Sequence, residues 1–295
     1  MKAFQFTTKG QPVTICAIST GTVSMKTRAH TIRHSNFARR LFDVITDKNF
    51  TGDLPVYCWL IEHPEGRFLI DAGYDSRVNN PGYFRQANAL ERWFSSTQVT
   101  TKVKKSEEAV NQLSQIGITP DDIDAVIFTH LHVDHVGDVP KMRNAKFVVN
   151  EVELQNNSHA FLLPDWFSPV KVKLQNERVG EFSRTFPLTA AGDMHLVATP
   201  GHTKGHCSIL LETDQVDILF AGDVVYDTDQ LTNNTLSAPN DKKSSMESYR
   251  MIKTHGMNRP LIVLPSHDEK SVKSLEQPFD NLVGLPIEVA DYACA

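Results

Sequence analysis

The sequence predicts a layered α/β protein with mixed β-sheets. Three observations carry the prediction: strand patterns come early, helical patterns are interspersed among later strands, and hairpin signals fall in both halves of the chain. No internal repeat, low-complexity tract or Pro/Gly/Ser-rich linker divides the 295 residues, so one domain over 1–295 is expected. Its 40% apolar content is ample for a core.

The elements follow in order. "LPVYCWLIEHPEGRFLIDAG" holds two runs of aliphatic and aromatic residues, Val56 to Glu62 and Arg67 to Asp71, joined by the turn-forming "HPEG", which reads as a hairpin. Ser106 heads a helical pattern with Val110, Leu113 and Ile116 on one face, stopped by Gly117. "TPDD" offers a capped start with Pro120 in first position. A buried strand, Ala125 to Thr129, and another at Lys146 to Asn150 come next. Further strands are expected at Met194 to Thr199, Cys207 to Glu212 and Val216 to Ala221, then a helix from Ser244 to His255 and a strand from Leu261 to Pro265. Residues 76–105 and 158–191 show no regular pattern, and long irregular segments of this kind often form walls or lids of sites.

Bulk properties exclude several classes. A net charge of −5 leaves no basic footprint for nucleic acid. The first twenty residues lack the apolar core of a secretion signal, and nowhere do about 18 apolar residues run together, so a cytoplasmic, non-membrane protein is expected. The four cysteines, Cys16, Cys58, Cys207 and Cys294, are scattered without a CxxC pair and read as reduced thiols.

Directly after the apolar run "AVIF" stands "THLHVDHVGD", in which His130, His132, Asp134 and His135 crowd into six positions. Imidazoles and carboxylates are ligands for borderline divalent metals, and a short turn after a strand can bring them together. Burying these groups without a cation would leave polar atoms unpaired, at about 1–3 kcal/mol each. Partners for a full site appear after other apolar runs: His202 in "TPGHTKGH", Asp223 in "LFAGDVVY" and His267 in "IVLPSHDEK".

In order, "HLHVDH", "PGH", "GD" and "SHD", with "FLIDAG" upstream, resemble the metallo-β-lactamase superfamily over roughly residues 50–270. That resemblance implies an αββα sandwich, two mixed sheets between helical layers. It implies that His130, His132 and His202 hold one metal, that Asp134, His135 and His267 hold a second, and that Asp223 bridges them. Two divalent ions, zinc being expected, would then share a hydroxide that attacks the substrate. Asp71 would orient a ligand imidazole by accepting its hydrogen bond.

Tyr226, three residues after Asp223, together with "SHD" and "LPVYCWLIE", makes the chain most similar to the N-acyl homoserine lactonases, the quorum-quenching branch. The resemblance implies hydrolysis of the lactone ester, with the Tyr226 hydroxyl donating to the carbonyl oxygen and Asp134 passing a proton to the departing oxygen. Val133 departs from the aromatic that some lactonases carry there against the acyl amide. Other lactones, thioesters and phosphoesters suit the same ligands. A flavodiiron-like oxidoreductase would normally substitute a carboxylate in the second half of the motif and attach a flavin domain, neither of which is expected here, and a non-catalytic metal sensor is the remaining reading. "AFLLPDWF" reads equally as acyl pocket, core or dimer contact, and Trp93-Phe94 likewise. His206 resembles a family position behind the metals or caps its loop; His30, His34, His63, His159, His195 and His255 read as surface or packing residues. The basic, aromatic "KTRAHTIRHSNFARRLF" reads as a solvated segment or a dimer arm, so a small-molecule lactone is the expected partner, with room for a homodimer.

Overall fold

The computed structural model describes residues 1–32, 36–156, 159–238, 240–280 and 282–283. Its strands are β1 (Lys2–Thr8), β2 (Gln11–Met25), β3 (Leu54–His63), β4 (Gly66–Ile70), β5 (Val99–Lys102), β6 (Ala125–Ile127), β7 (Phe147–Asn150), β8 (Val170–Val172), β9 (Thr185–Pro187), β10 (Met194–Ala198), β11 (Cys207–Glu212), β12 (Asp217–Gly222) and β13 (Leu261–Pro265). The first sheet runs β1-β2-β3-β4-β6-β7-β8, with β5 paired to the end of β2. It is antiparallel as far as β4 and parallel from there on. The second, β13-β12-β11-β10-β9, is antiparallel apart from the β12–β13 pair. Both sheets are mixed, as expected.

Alternation along the strands builds the layers. Trp59, Ile61, Ile70 and Ile127 of the first sheet meet Leu196, Ile209, Phe220 and Ile262 of the second in a shared core. Their neighbours Cys58, Leu60, Leu69 and Val126 turn to the other face, where Ala109 and Leu113 of helix Ala109–Gln115 cover them. Val197, Leu210, Leu219 and Val263 face Tyr249 and Ile252 of helix Lys242–Asn258. The result is helix, sheet, sheet, helix. Strands buried on both faces read as unbroken apolar runs, which is why they were legible in the sequence. Cutting Leu219, fully buried, to Ala should cost about 2–5 kcal/mol.

Several expectations change in detail. β1 and β2 form an unanticipated hairpin across Lys9 and Gly10, both at positive φ; Thr and Gln dilute the apolar pattern there. "TPDD" closes only a single 3-10 turn, Pro120–Asp122, because Ile123 is already extended. "AFLLPDWF" is packing: Leu162, Leu163, Trp166 and Phe167 lie against the outer core of the first sheet, with Phe167 5.0 Å from Phe147 between ring centres. The amino-terminal basic segment is docked in its first part, up to Ile32, while Asn36, Ala38, Arg39 and Phe42 are exposed. It forms helices Thr27–His30 and Phe37–Thr46, and Ile32 and Ala238 exchange backbone bonds with Leu236 and Ala29. Cys16, Cys58 and Cys207 are buried free thiols, while Cys294 and His34 lie outside the described residues. Among the described residues no helix is long and apolar enough to cross a membrane.

Candidate metal centre

The seven candidate ligands converge from four loops at strand ends. His130 to His135 follow β6, His202 lies between β10 and β11, Asp223 directly follows β12, and His267 stands two residues after β13. Their donor atoms form two groups, His130–His132–His202 and Asp134–His135–Asp223–His267, each with all its atoms within 4.8 Å of one another. Asp223 stands between them. Its Oδ2 is 3.9 Å from His130 Nε2, 3.5 Å from His202 Nε2 and 3.3 Å from His267 Nε2, and its Oδ1 is 3.2 Å from His135 Nε2. Asp134 Oδ2 lies 3.3 Å from His267 Nε2 and 3.6 Å from His135 Nε2.

Two of the imidazoles, His135 and His267, are aimed from behind. His135 Nδ1 donates to Asp71 Oδ2 at 2.7 Å, and Asp71 also accepts from the Thr129 N–H and hydroxyl, both at 2.8 Å. His267 Nδ1 donates to the Pro55 carbonyl at 2.9 Å, tying a loop of the second sheet to the first. His206 is no ligand: its Nε2 accepts from the Asp223 N–H at 3.1 Å while Nδ1 faces the Thr199 carbonyl at 3.1 Å, which fixes a neutral ring behind Asp223. Burial holds His206 down at about 3, in keeping with that role. Gly222, at φ +58, permits this contact, since a Cβ would come within 2.8 Å of His206 Nε2 and of Thr129. Glu153, absent from the sequence reading, joins two ligand loops by accepting from the Leu131 N–H at 3.0 Å and the Thr203 hydroxyl at 2.6 Å.

The donor set fits divalent cations. His130 Nε2, His135 Nε2 and Asp223 Oδ1 are buried without a hydrogen-bond partner among the described residues, the last two lying 3.2 Å apart without hydrogen-bond geometry. His132 Nδ1 and His202 Nε2 face each other at 2.8 Å, nitrogen to nitrogen. Such groups are costly to bury alone and are ligands once a cation lies between them. Protons settle the cluster poorly. Burial and neighbouring imidazoles push His130 and His132 well down, and burial takes His202 to about 4. At His267 burial is outweighed by Asp223 and Asp134, which push it up to about 10; His135 is raised for the same reason, with Asp71 adding to it.

His132, Asp134, His202, Asp223 and His267 of this cluster line a cavity of about 1560 Å³. Tyr226 hangs over the cluster, its ring centre 4.9 Å from His267 and 5.7 Å from His202, and its hydroxyl interacts with the Ser237 side chain. His159, read from sequence as surface or packing, stands 4.9 Å from His132 and lines the cavity. His30 pairs with Asp227 at 3.2 Å, whereas His63, His195 and His255 pair with Asp193, Glu212 and Asp217 away from the cluster. Residues 76–105 form a cavity wall through Val78, Tyr83, Phe84, Trp93 and Phe94, and Leu41 and Val44 of the amino-terminal segment face the same space. Val133 packs beside Tyr83 and Phe84, so apolar surface begins next to the ligands.

Two facing mixed sheets between helices, with seven convergent imidazole and carboxylate donors at the strand ends, define an αββα protein with a candidate site for divalent cations. The chain belongs to the metallo-β-lactamase superfamily, whose family model matches residues 51–290. An N-acyl homoserine lactonase from Bacillus sp is 30% identical over 218 residues, 73% of this chain and 82% of that protein. The N-acyl homoserine lactonase AiiA of Bacillus thuringiensis subsp. kurstaki is 28% identical over 224 residues, covering 75% and 84%. A solved N-acyl homoserine lactone hydrolase, with the product N-hexanoyl-L-homoserine bound at its catalytic metal center, shares the fold with a TM-score of 0.67 at 21% identity, over 93% of this chain and 97% of its own.

Proposed function

We propose that this protein is a dinuclear metal hydrolase that opens the ester ring of N-acyl homoserine lactones, a quorum-quenching activity. The observation that carries the reading is that residues of both donor groups and Tyr226 line the same large, partly aromatic cavity. The lactonases among its relatives support the choice of substrate.

His130, His132 and His202 would hold one cation, Asp134, His135 and His267 the other, and Asp223 both. Zinc suits this donor set, and when bound the pair supplies Lewis acidity and a water whose pKa falls towards neutrality. The chain's own residues do the rest. Asp71 and the Pro55 carbonyl keep His135 and His267 in the tautomer that turns Nε2 to the cluster. The Tyr226 hydroxyl donates to the lactone carbonyl oxygen as charge develops there; burial holds it well above the usual phenol range, so it stays protonated. A carboxylate oxygen of Asp134 takes a proton from the attacking water and returns it to the ring oxygen as the C–O bond breaks. The ring oxygen leaves as the homoserine hydroxyl, and the new carboxylic acid ionises, releasing acid.

Residues 1–295 act in this reading as one catalytic domain, and the buried free thiols fit a reducing cytoplasm. Mass spectrometry after incubation with an N-acyl homoserine lactone, a thioester and a phosphotriester tests the assignment. A product heavier by one water from the lactone, formed far faster than from the others, is expected; turnover of only the thioester or phosphotriester would overturn the substrate and keep the centre.

A further inference from the structure

Asp71 occupies left-handed backbone, φ +58, which is costly for a residue with a Cβ. What holds it there runs well beyond the cluster. From Asp71 onward the loop after β4 is zipped to the segment after the histidine motif: the Ala72 N–H donates to the His135 carbonyl at 2.7 Å, the Asp138 N–H to Ala72 at 3.3 Å and the Gly137 N–H to Gly73 at 2.8 Å. Gly137 lets the two segments touch, since a Cβ there would collide with Asp75 N and Tyr74 C. One end of this zipper is the Asp71–His135 bond.

The other end is a buried cage. Lys141 Nζ lies 2.5 Å from Asp138 Oδ1, 2.8 Å from Glu108 Oε2 and 3.4 Å from Asp75 Oδ2, and the three carboxylates are 0%, 3% and 1% exposed. Their other contacts bind the neighbouring elements. Asp138 Oδ2 accepts the Val110 N–H at 2.9 Å, Glu108 Oε1 accepts the Ser76 N–H and hydroxyl at 3.0 and 2.6 Å, and Asp75 Oδ1 accepts the Arg77 N–H at 2.7 Å. Three carboxylates this close would repel one another, and the Lys141 ammonium among them, with the Arg77 guanidinium 2.8 Å from Asp75 Oδ2, is what lets them converge.

We propose that Lys141 is a positioning residue for the Asp134–His135–Asp223–His267 half of the metal centre: by drawing Asp75, Glu108 and Asp138 together it closes the zipper that holds Asp71 against His135. The proposal rests on the two-cation reading above. It is selective, because His132 and His202 lean instead on the Glu153 bridge between their loops, which does not touch the cage.

The test is zinc titration of the full-length, metal-stripped protein against a chromophoric chelator, with thermal melting in parallel. Wild type should take two equivalents per chain. Lys141→Gln should weaken one equivalent by roughly tenfold or more, the scale seen when a ligand's supporting partner is lost, and leave the other within about twofold to threefold. Should that variant not fold, the Lys141→Gln/Glu108→Gln pair keeps the net charge of the cage and is expected to weaken the same single equivalent. Two equivalents that weaken together in step with a lower Tm, or that do not change, would overturn the proposal. No lactone enters the titration, so a wrong substrate leaves it standing, whereas a wild-type chain that takes fewer than two equivalents would overturn the two-cation reading and the proposal with it.

Discussion

Shortening the acyl chain of a lactone substrate should cost this protein catalytic efficiency in proportion to the apolar wall it leaves uncovered. At about 1560 Å³ the cavity exceeds the roughly 300–1,000 Å³ that holds a drug-sized ligand, so a lactone ring with a short tail fills little of it. A fully buried methylene is worth about 0.8 kcal/mol. The lining includes the exposed Arg85 and Arg92, so an acyl tail stays partly wet and half that value, about 0.4 kcal/mol, is the better figure. From butanoyl to decanoyl the chain gains about six methylenes, hence about 2.4 kcal/mol, or roughly 60-fold in kcat/KM. Initial rates of acid release across the series measure this slope. In Trp93→Ala and Phe94→Ala the slope should flatten while butanoyl turnover changes little, because both side chains line the cavity and neither is a metal donor. A flat series in the wild-type protein would refute the reasoning.

Three further outcomes are expected. Tyr226→Phe keeps the ring packing on His267 and removes one donor to a developing charge, so kcat should fall by about 2 kcal/mol, roughly 30-fold, with two zinc ions still bound; an unchanged kcat would remove the hydroxyl from the mechanism. Asp223→Ala takes away the carboxylate facing His130, His135, His202 and His267, and elemental analysis should find less than one tightly held metal per chain; full occupancy would mean that the other six donors suffice. His135, raised, and His267, pushed up to about 10, carry protons at neutral pH in the metal-free protein, and a cation binds only the neutral ring. Zinc uptake should therefore release protons, and apparent affinity should rise with pH through neutrality; calorimetry in buffers of different ionisation enthalpy would contradict this by finding no proton release.

Much of the centre was legible because its ligands are local to strand ends. An apolar run followed at once by His130-Leu131-His132 or by Gly222-Asp223 is a short-range pattern, and the strands that deliver those residues are buried on both faces. What aims the ligands is long-range and left no such trace. Pro55 reaches His267 across 212 positions through a carbonyl every residue type carries, and Glu153 meets Leu131 and Thr203 from a helix of five residues that reads as an ordinary polar turn. The cage around Lys141 draws on Asp75, Glu108 and Asp138 from three separate segments, each of them unremarked in isolation. The amino-terminal segment reads as solvated or as a dimer arm for a related reason: its charges are visible in sequence, whereas Leu41 and Val44 facing the cavity are not.

The central claim is that two cations and the lactone meet at this cluster. Its most direct test is to strip the protein of metal, add zinc back in fractions of an equivalent, and follow N-decanoyl homoserine lactone hydrolysis at each step. Almost no turnover is expected below one equivalent per chain, then a rise to a plateau at about two, abolished again by chelator. Full activity at one equivalent, or two tightly bound zinc ions with no lactone opened, would contradict the claim.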